Sequence, residues 1–395
     1  MQYFLLFLIW IAAAFFFPVM LRRFQIPWVT AVIFAGIILG PYGLRVVNPE
    51  EVVMDFLATI GLVFLMFTAG LDTKFSVLKK MGKGVIYFSV LNFCIPFTTG
   101  CIVGILSGFG VFASLVLGVC FSSSSVGVIV PLLRELKVKS KTKSTLMSAL
   151  FLEDVISLLL LAVLLKAVAS TSPIPLEFFP GALIVFLFIV LYVIPIIQEW
   201  LFWWGPKKDA FSGQIRAVFI TLSLVALMAE LIGVHAMVGG FLAGLILSDM
   251  LRRRRKLQEN IFAISYGFLI PIFLLNLGMT TNIPTLFAPG DALLTGLIVI
   301  SLITSKSVSG FLGARLIGFP FRTSWAMGFM TIAQMSTTLA TASLALQYEI
   351  FTEDVLASLV VLSIVTIVIA PFLTKLVLGY ESEKPSRFTK LWRGA

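Results

Sequence analysis

The chain alternates long apolar runs with short polar joints. The runs cover 3–21, 26–42, 52–71, 84–106, 111–133, 144–169, 177–201, 214–233, 235–249, 260–279, 291–317, 324–347 and 354–379. Most hold about 18–26 residues, enough at ~1.5 Å per residue to carry a helix across a hydrocarbon core of ~30 Å. They predict an all-α polytopic membrane protein with about thirteen transmembrane helices. The longest polar segment is the tail, 380–395, which is too short to fold alone. The expectation is therefore a single transmembrane unit, 1–379, followed by a short cytoplasmic tail.

Composition agrees: 59% of residues are hydrophobic and 12% charged, against about a quarter charged in soluble domains. The net charge of +10 raises the question of an acidic or nucleic-acid partner, and position answers it. Basic residues fall in alternate joints: Arg22 and Arg23; Lys74, Lys79, Lys80 and Lys83; Arg134, Lys137, Lys139, Lys141 and Lys143; Lys207 and Lys208; Arg252 to Lys256; Arg315 and Arg322; and the tail. The other joints hold Arg45 and little else. This is the positive-inside pattern, which puts the N-terminus outside and the C-terminus in the cytoplasm. The basic balance reports orientation in an inner or plasma membrane, with lipid as the partner and no nucleic acid. The Arg252–Lys256 run reads first as a loop holding topology, with a lipid-headgroup site as the alternative.

Trp200, Trp203 and Trp204 read as an interfacial aromatic belt. The N-terminal run lacks a basic leader and carries its charges behind it, so it reads as a retained first helix rather than a signal peptide. Cys94, Cys101 and Cys120 form no CxxC pair and lie within spans, as packing residues. The single histidine, His235, excludes a multi-histidine metal site or a haem pair, and no cofactor is expected.

Depth arithmetic collects the polar residues at one level. Glu153 and Asp154 lie about ten residues into the sixth span, or ~15 Å, near the midplane. Lys306 lies near the middle of the eleventh span. The hydroxyl-rich stretch Ser122, Ser123, Ser124 and Ser125 falls in the middle of the fifth, and Gln334, Ser336, Thr337 and Thr338 fall in the middle of the twelfth. Spans four and eleven, five and twelve, and six and thirteen are seven apart and run in opposite directions, the arrangement of an inverted repeat. In that architecture two helices break near the midplane and cross, and hydroxyls replace lost main-chain partners.

Glu-Asp-Val occurs twice, at Glu153 and at Glu353. The second copy follows Thr352 just before an apolar run and reads as a helix start, hydroxyl first and then acids at the positive dipole end. The first copy has no such explanation. A charge at the centre of a transmembrane helix costs roughly 2.5–3.5 kcal/mol on the lenient insertion scale. Lys306 is the partner available at that depth. A purely structural Glu153–Lys306 ion pair is one reading. The other is functional: a carboxylate in a partly wet, low-dielectric cavity binds either a proton or a hard monovalent cation, and that competition is exchange.

Several segments carry a family resemblance over almost the whole chain. These are "IPWVTAVIFAGIILGPYGL" (Ile26–Leu44), "LATIGLVFLMFTAGLDTKFSVLKK" (Leu57–Lys80), "SSSSVGVIVPLLRELK" (Ser122–Lys137), "GGFLAGLILSD" (Gly239–Asp249) and "FLIPIFLLNLGM" (Phe268–Met279). In order and spacing they resemble the Kef- and NapA-like branch of the monovalent cation/proton antiporter superfamily. The resemblance implies an NhaA-like antiporter fold. Core spans at about 84–169 and 291–379 would move, elevator-like, against a dimerisation scaffold made of the rest. It implies Asp154 as the main cation- and proton-binding residue, Glu153 as the position before it, Lys306 as the coupling lysine, and a homodimer. Two features depart from the pattern. Glu153 stands where other branches carry Asp, Gln or Asn. Gln334 is followed by Met335-Ser336-Thr337-Thr338, where the potassium-efflux branch shows Gln-Gly-Gly-Glu-Phe. The short tail holds no nucleotide-binding domain, which leaves room for a separate regulatory subunit.

The leading expectation is a secondary antiporter exchanging Na⁺ or K⁺ for H⁺ by alternating access. The alternative is a partner-gated monovalent cation (K⁺) efflux channel. An organic-anion symporter fits poorly, since further midplane basic residues are scarce. A membrane enzyme fits worse, with one histidine and no polar catalytic loop.

Overall fold

The computed structural model describes residues 2–21, 28–46, 52–72, 82–125, 140–168, 177–204, 210–282 and 289–378, with isolated positions between these stretches. Arg22, Lys74, Lys79, Lys80, Arg134, Lys137, Lys139, Lys207, Lys208 and the tail 380–395 lie outside the described residues. Among the described residues every regular element is helical. The helices are α1 (Gln2–Leu21), α2 (Trp28–Leu39), α3 (Val52–Asp72), α4 (Lys83–Leu106), α5 (Val111–Ser122), α6 (Ser140–Val168), α7 (Phe179–Trp204), α8 (Ala210–Ile232), α9 (Ala236–Arg252), α10 (Arg255–Met279), α11 (Pro289–Leu316), α12 (Phe321–Thr331), α13 (Ser336–Gln347) and α14 (Glu353–Leu378).

Among the described residues, nine helical stretches are long and apolar enough to cross a membrane by length and composition; α12 and α13 together make one of them. With the shorter apolar helices α1, α2 and α5 and the 17-residue α9, they follow the thirteen runs read from the sequence. Two crossings hold a π turn, Ile189–Val193 in α7 and Ser265–Leu269 in α10. Each π turn lies just before a proline, Pro195 or Pro271, where a missing N–H already disturbs the hydrogen-bond ladder.

Two sets of helices pack mainly among themselves. In one, α3 lies against α9 and α10, α2 against α10 and α1, and α8 against α9 and α7. In the other, α4 lies against α5, α6 and α11; α11 against α12; and α14 against α11, α12 and α13. Between lipid-exposed helices there is little hydrophobic driving force, so close van der Waals contact at small residues has to hold them. An added Cβ on Gly244 would sit 2.0 Å from the Phe67 carbonyl oxygen, and one on Gly70 would sit 2.2 Å from that of Phe241. The α3–α9 contact is therefore backbone on backbone. Arg252, at the end of α9, closes the same pair by donating to the Asp72 carbonyl at 2.9 Å.

The second set contains a repeat at a spacing of 210 residues. Gly108 ends α4 with φ 84°, and Gly318 ends α11 with φ 88°, a backbone shape that favours glycine. The next amides close the same turn: Phe109 donates to the Gly104 carbonyl at 2.9 Å, and Phe319 to that of Ala314 at 3.0 Å. Ser114 and Ser324 then donate their hydroxyls one turn back, each at 3.0 Å, to Gly110 and Pro320. Gly100 faces Gly118 between α4 and α5, and Gly310 faces Gly328 between α11 and α12; an added Cβ would meet the facing Cα at 2.8 and 2.6 Å. Both hairpins then reach a break, at Ser123–Ser125 and at Ala333–Met335. The sequence signature, Leu-x-Gly-Phe-x₄-Ser at Leu106 and again at Leu316, is short enough to pass unnoticed until the two turns are compared.

The packing makes a direct prediction. Gly244→Ala should destabilise the folded protein by about 1–3 kcal/mol, the usual cost of overpacking. Gly296→Ala, inside α11 with open space around it, should leave stability unchanged or raise it by up to about 1 kcal/mol. Thermal unfolding of the two variants in detergent checks the difference.

Candidate functional site

The site forms where the two breaks cross. A helix interrupted inside a bilayer leaves N–H and C=O groups without intrahelical partners, and each has to be satisfied. The Ser125 amide donates to the Ala333 carbonyl at 2.7 Å, joining one break to the other. The Ser124 hydroxyl donates to the Thr331 carbonyl at 2.9 Å. The Gln334 side-chain amide donates to the Ser123 carbonyl at 2.7 Å, and its oxygen accepts from Ser123 at 3.2 Å and from the Thr338 hydroxyl. Thr338 also reaches Ser123 at 3.1 Å and the Cys120 carbonyl at 3.3 Å. The Gln334 amide N–H finds the Thr366 hydroxyl on α14 at 3.2 Å. Hydroxyls and one amide thus stand in for the missing helical ladder.

The charged residues stand against this crossing. Glu153, on α6, and Lys306, on α11, are fully buried, with Glu153 Oε2 and Lys306 Nζ 3.2 Å apart. The Asn92 side-chain amide donates to both Glu153 oxygens at 2.9 Å. Its own oxygen accepts the Ser309 hydroxyl at 2.8 Å and that of Thr331 at 3.3 Å. Lys306 donates further to the Asn92 carbonyl at 3.1 Å and to the Ser122 carbonyl at 2.6 Å. Both members of the ion pair are therefore hydrogen-bonded beyond each other, the condition under which a buried pair is tolerated.

Asp154 is different. It is 5% exposed where Glu153 is 0%. Its donors are neutral: the Ser124 main-chain N–H and, in a long contact at 3.5 Å, the Thr337 hydroxyl. Consecutive helical positions point about 100° apart, so Glu153 turns into the core of the bundle while Asp154 keeps a carboxylate with spare acceptor capacity. Ser122 links the crossing to α6 through Ser157 at 2.8 Å. The Ser125 hydroxyl is buried and, among the described residues, has no hydrogen-bond partner.

Glu153, Asp154, Lys306, Ser122, Ser123, Ser124, Gln334 and Thr337 thus meet in one place, joined by Ser125 through its main chain. Ser336 opens α13 half-buried, and no hydrogen bond ties it to the cluster. Among the described residues, no group of three or more His, Cys, Asp or Glu side chains forms a chelating metal site.

A model of the sodium/hydrogen exchanger transmembrane family matches residues 11–379. The chain belongs to this family. Membership places it among transporters rather than enzymes. It is 31% identical over 390 residues to the probable Na(+)/H(+) antiporter 3 of Methanocaldococcus jannaschii, covering 98% of this chain and 99% of that one. It is 27% identical to a Na(+)/H(+) antiporter of Enterococcus hirae, over 90% of this chain and 92% of that protein. To the Na(+)/H(+)-K(+) antiporter GerN of Bacillus cereus it is 25% identical, over 90% and 91%. In shape it is similar to the sodium proton antiporter MjNhaP1 of Methanocaldococcus jannaschii, with a TM-score of 0.71, 16% identity and coverage of 94% and 97%. That likeness shows the fold.

The sequence reading of this exchanger-family chain passed over Asn92, which binds both partners of the ion pair. Its signal was present, since a carboxamide inside the 24-residue apolar α4 is as unusual as a hydroxyl cluster. The second Glu-Asp-Val, read as a helix start, does open α14 with both acids in the first turn. Glu353 also ties α14 to two neighbouring segments. Tyr42, beyond α2, donates to it at 2.6 Å and Asn282, beyond α10, at 3.4 Å. The tyrosine's hydrogen bond, with Glu353's charge beside it, pushes the Tyr42 phenol up to about 12.

His235 caps α9 by accepting the Met237 amide at 3.2 Å. Burial pushes its imidazole down to about 4. A folded-state value below the unfolded one means a stability contribution complete above about pH 6.5 and lost as pH falls toward 4. His235→Asn, which keeps a capping side chain, should flatten the pH dependence of thermal stability over that window. Gln334→Ala should lower stability by about 1–3 kcal/mol by leaving the buried Ser123 carbonyl without its donor, as thermal unfolding would read.

Proposed function

We propose that this protein is a secondary active antiporter exchanging a monovalent cation, Na⁺ or K⁺, for H⁺ across the membrane. The observation that carries the reading is the unequal treatment of two adjacent carboxylates. Glu153 is held by the Lys306 ammonium and the Asn92 amide, while Asp154 is nearly buried and, among the described residues, accepts from neutral donors, the Ser124 main-chain N–H and the more distant Thr337 hydroxyl. A carboxylate of the second kind can take a proton or a hard cation in turn, and one site that holds either but not both couples their movements. Asp154 is the shared site. Thr337 and the crossing at Ser122–Ser125 and Gln334 supply neutral oxygens around it. Glu153 and Lys306 form the coupling pair. The similarity to Na⁺/H⁺ antiporters supports the reaction class, and the likeness to GerN keeps K⁺ as a second candidate cargo.

Alternating access follows from the two sets of helices. In this reading α4–α6 and α11–α14 move as an elevator against α1–α3 and α7–α10, which also form the homodimer contact. The basic joints support an N-terminus outside, a C-terminus in the cytoplasm and residence in the plasma (inner) membrane. The Kef/NapA-like branch and a separate cytoplasmic regulatory subunit belong to the same proposal.

Proton flux in proteoliposomes, driven in turn by Na⁺, K⁺ and Li⁺ gradients with and without a voltage clamp, tests the reading. Wild-type protein should give cation-dependent proton flux, and Asp154→Asn should reduce it to the level of empty vesicles while remaining folded. Full exchange by Asp154→Asn would overturn the site. Current that ignores the proton gradient would favour a partner-gated K⁺ channel.

A further inference from the structure

The seat of Lys306 has a cause in the sequence that its charge partner does not explain. An ammonium has three N–H groups, and Lys306 has three acceptors: the Glu153 carboxylate and the main-chain carbonyls of Asn92 and Ser122. A carbonyl inside a helix is ordinarily occupied by the N–H four residues on. Ser122 is the last residue of α5, so its carbonyl is freed by the break that follows. Asn92 lies well inside α4, and no break frees it. Four residues on stands Pro96, buried within the same helix, which has no N–H to give. Pro96 and Lys306 are themselves 210 positions apart, the spacing of the repeat. Equivalent places in the two halves therefore hold the residue that vacates a carbonyl and the residue that fills it.

We propose that Pro96 is a positioning residue for cation/proton exchange: by withholding an N–H it keeps the Asn92 carbonyl open as a seat for the Lys306 ammonium. Asn92 then acts from both ends, its carbonyl on the lysine and its side-chain amide on Glu153. The proline sets the height of the lysine on α4, and the amide sets the carboxylate against it. Asp154 is left outside this arrangement. The proposal rests on the antiporter reading and adds to it what fixes the coupling pair in place. A helix kink without this role would leave exchange unchanged when alanine, the better helix former, replaces the proline.

The test compares full-length wild type, Pro96→Ala, Pro96→Gly and Asn92→Ala in proteoliposomes, with Na⁺ as the probe cation, recording exchange rate against pH and melting temperature in detergent. Among the described residues, Glu153 and Asp154 are the charged groups facing Lys306. Pro96→Ala should fold with an equal or higher melting temperature. Its maximal rate should fall about tenfold, the size of one lost hydrogen bond to a charged group. The alkaline limb of its pH–rate profile should move to lower pH, because the ammonium has lost an acceptor to the restored N–H. Pro96→Gly restores the same N–H and should move the limb the same way. Asn92→Ala keeps the carbonyl, so its rate should fall with the alkaline limb in place. A Pro96→Ala protein with wild-type rate and profile would overturn the proposal. One that does not fold would do so too, since the proline would then be a packing requirement. Absence of exchange in the wild type would instead overturn the antiporter reading. The alkaline limb of the melting curve, moving to lower pH in Pro96→Ala or staying put, would then decide the seat alone.

Discussion

Within a bilayer a main-chain N–H or C=O has no water to fall back on. Much of this structure follows from that constraint at two places, Ser123–Ser125 and Ala333–Met335, where α5 stops and where α12 gives way to α13. Neither interruption is tolerable by itself. Set against each other, they exchange partners: an amide of one for a carbonyl of the other, with Gln334, Ser124 and Thr338 covering most of the remainder. The crossing is thus a joint solution to two deficits. Because it leaves polar groups at mid-depth, it is also the place in the bundle where charge is least expensive to hold.

The charges follow from the crossing. Lys306 points one N–H at the carbonyl that α5 leaves open, and a second at one that α4 leaves open. Main-chain carbonyls cannot be protonated or carried off, so they hold an ammonium without competing for protons. The carboxylate that completes the set, on α6, is then the only titratable acceptor among the three.

Much of this arrangement could be read before any coordinates. Span lengths follow from apolar run length, which the bilayer imposes directly, and the depth of Glu153, Asp154, Lys306 and the serines follows from counting residues at a fixed rise. Asn92 escaped because one neutral amide in an apolar helix changes composition little, although its geometry ties four helices together. The direction in which Glu153 and Asp154 diverge was legible as an angle. Which of them meets the lysine depends on the rotation of α6 against α4 and α11, and packing decides that. The tie from Tyr42 to Glu353 joins residues more than three hundred positions apart, where no local pattern can point.

The glycine contacts carry a mechanical consequence. Where Gly100 meets Gly118 and Gly310 meets Gly328, backbone lies close to backbone, with Phe97, Cys101 and Thr331 at the edges of the contacts. Side chains give a packed interface its compliance, since they change rotamer and refill small gaps as helices slide. A contact made largely of backbone has less such slack, and small displacements meet hard atoms sooner. The paired hairpins around the crossing are therefore stiff bodies, α4 fastened to α5 and α11 to α12. Deformation is taken up more readily where larger side chains mediate the contact.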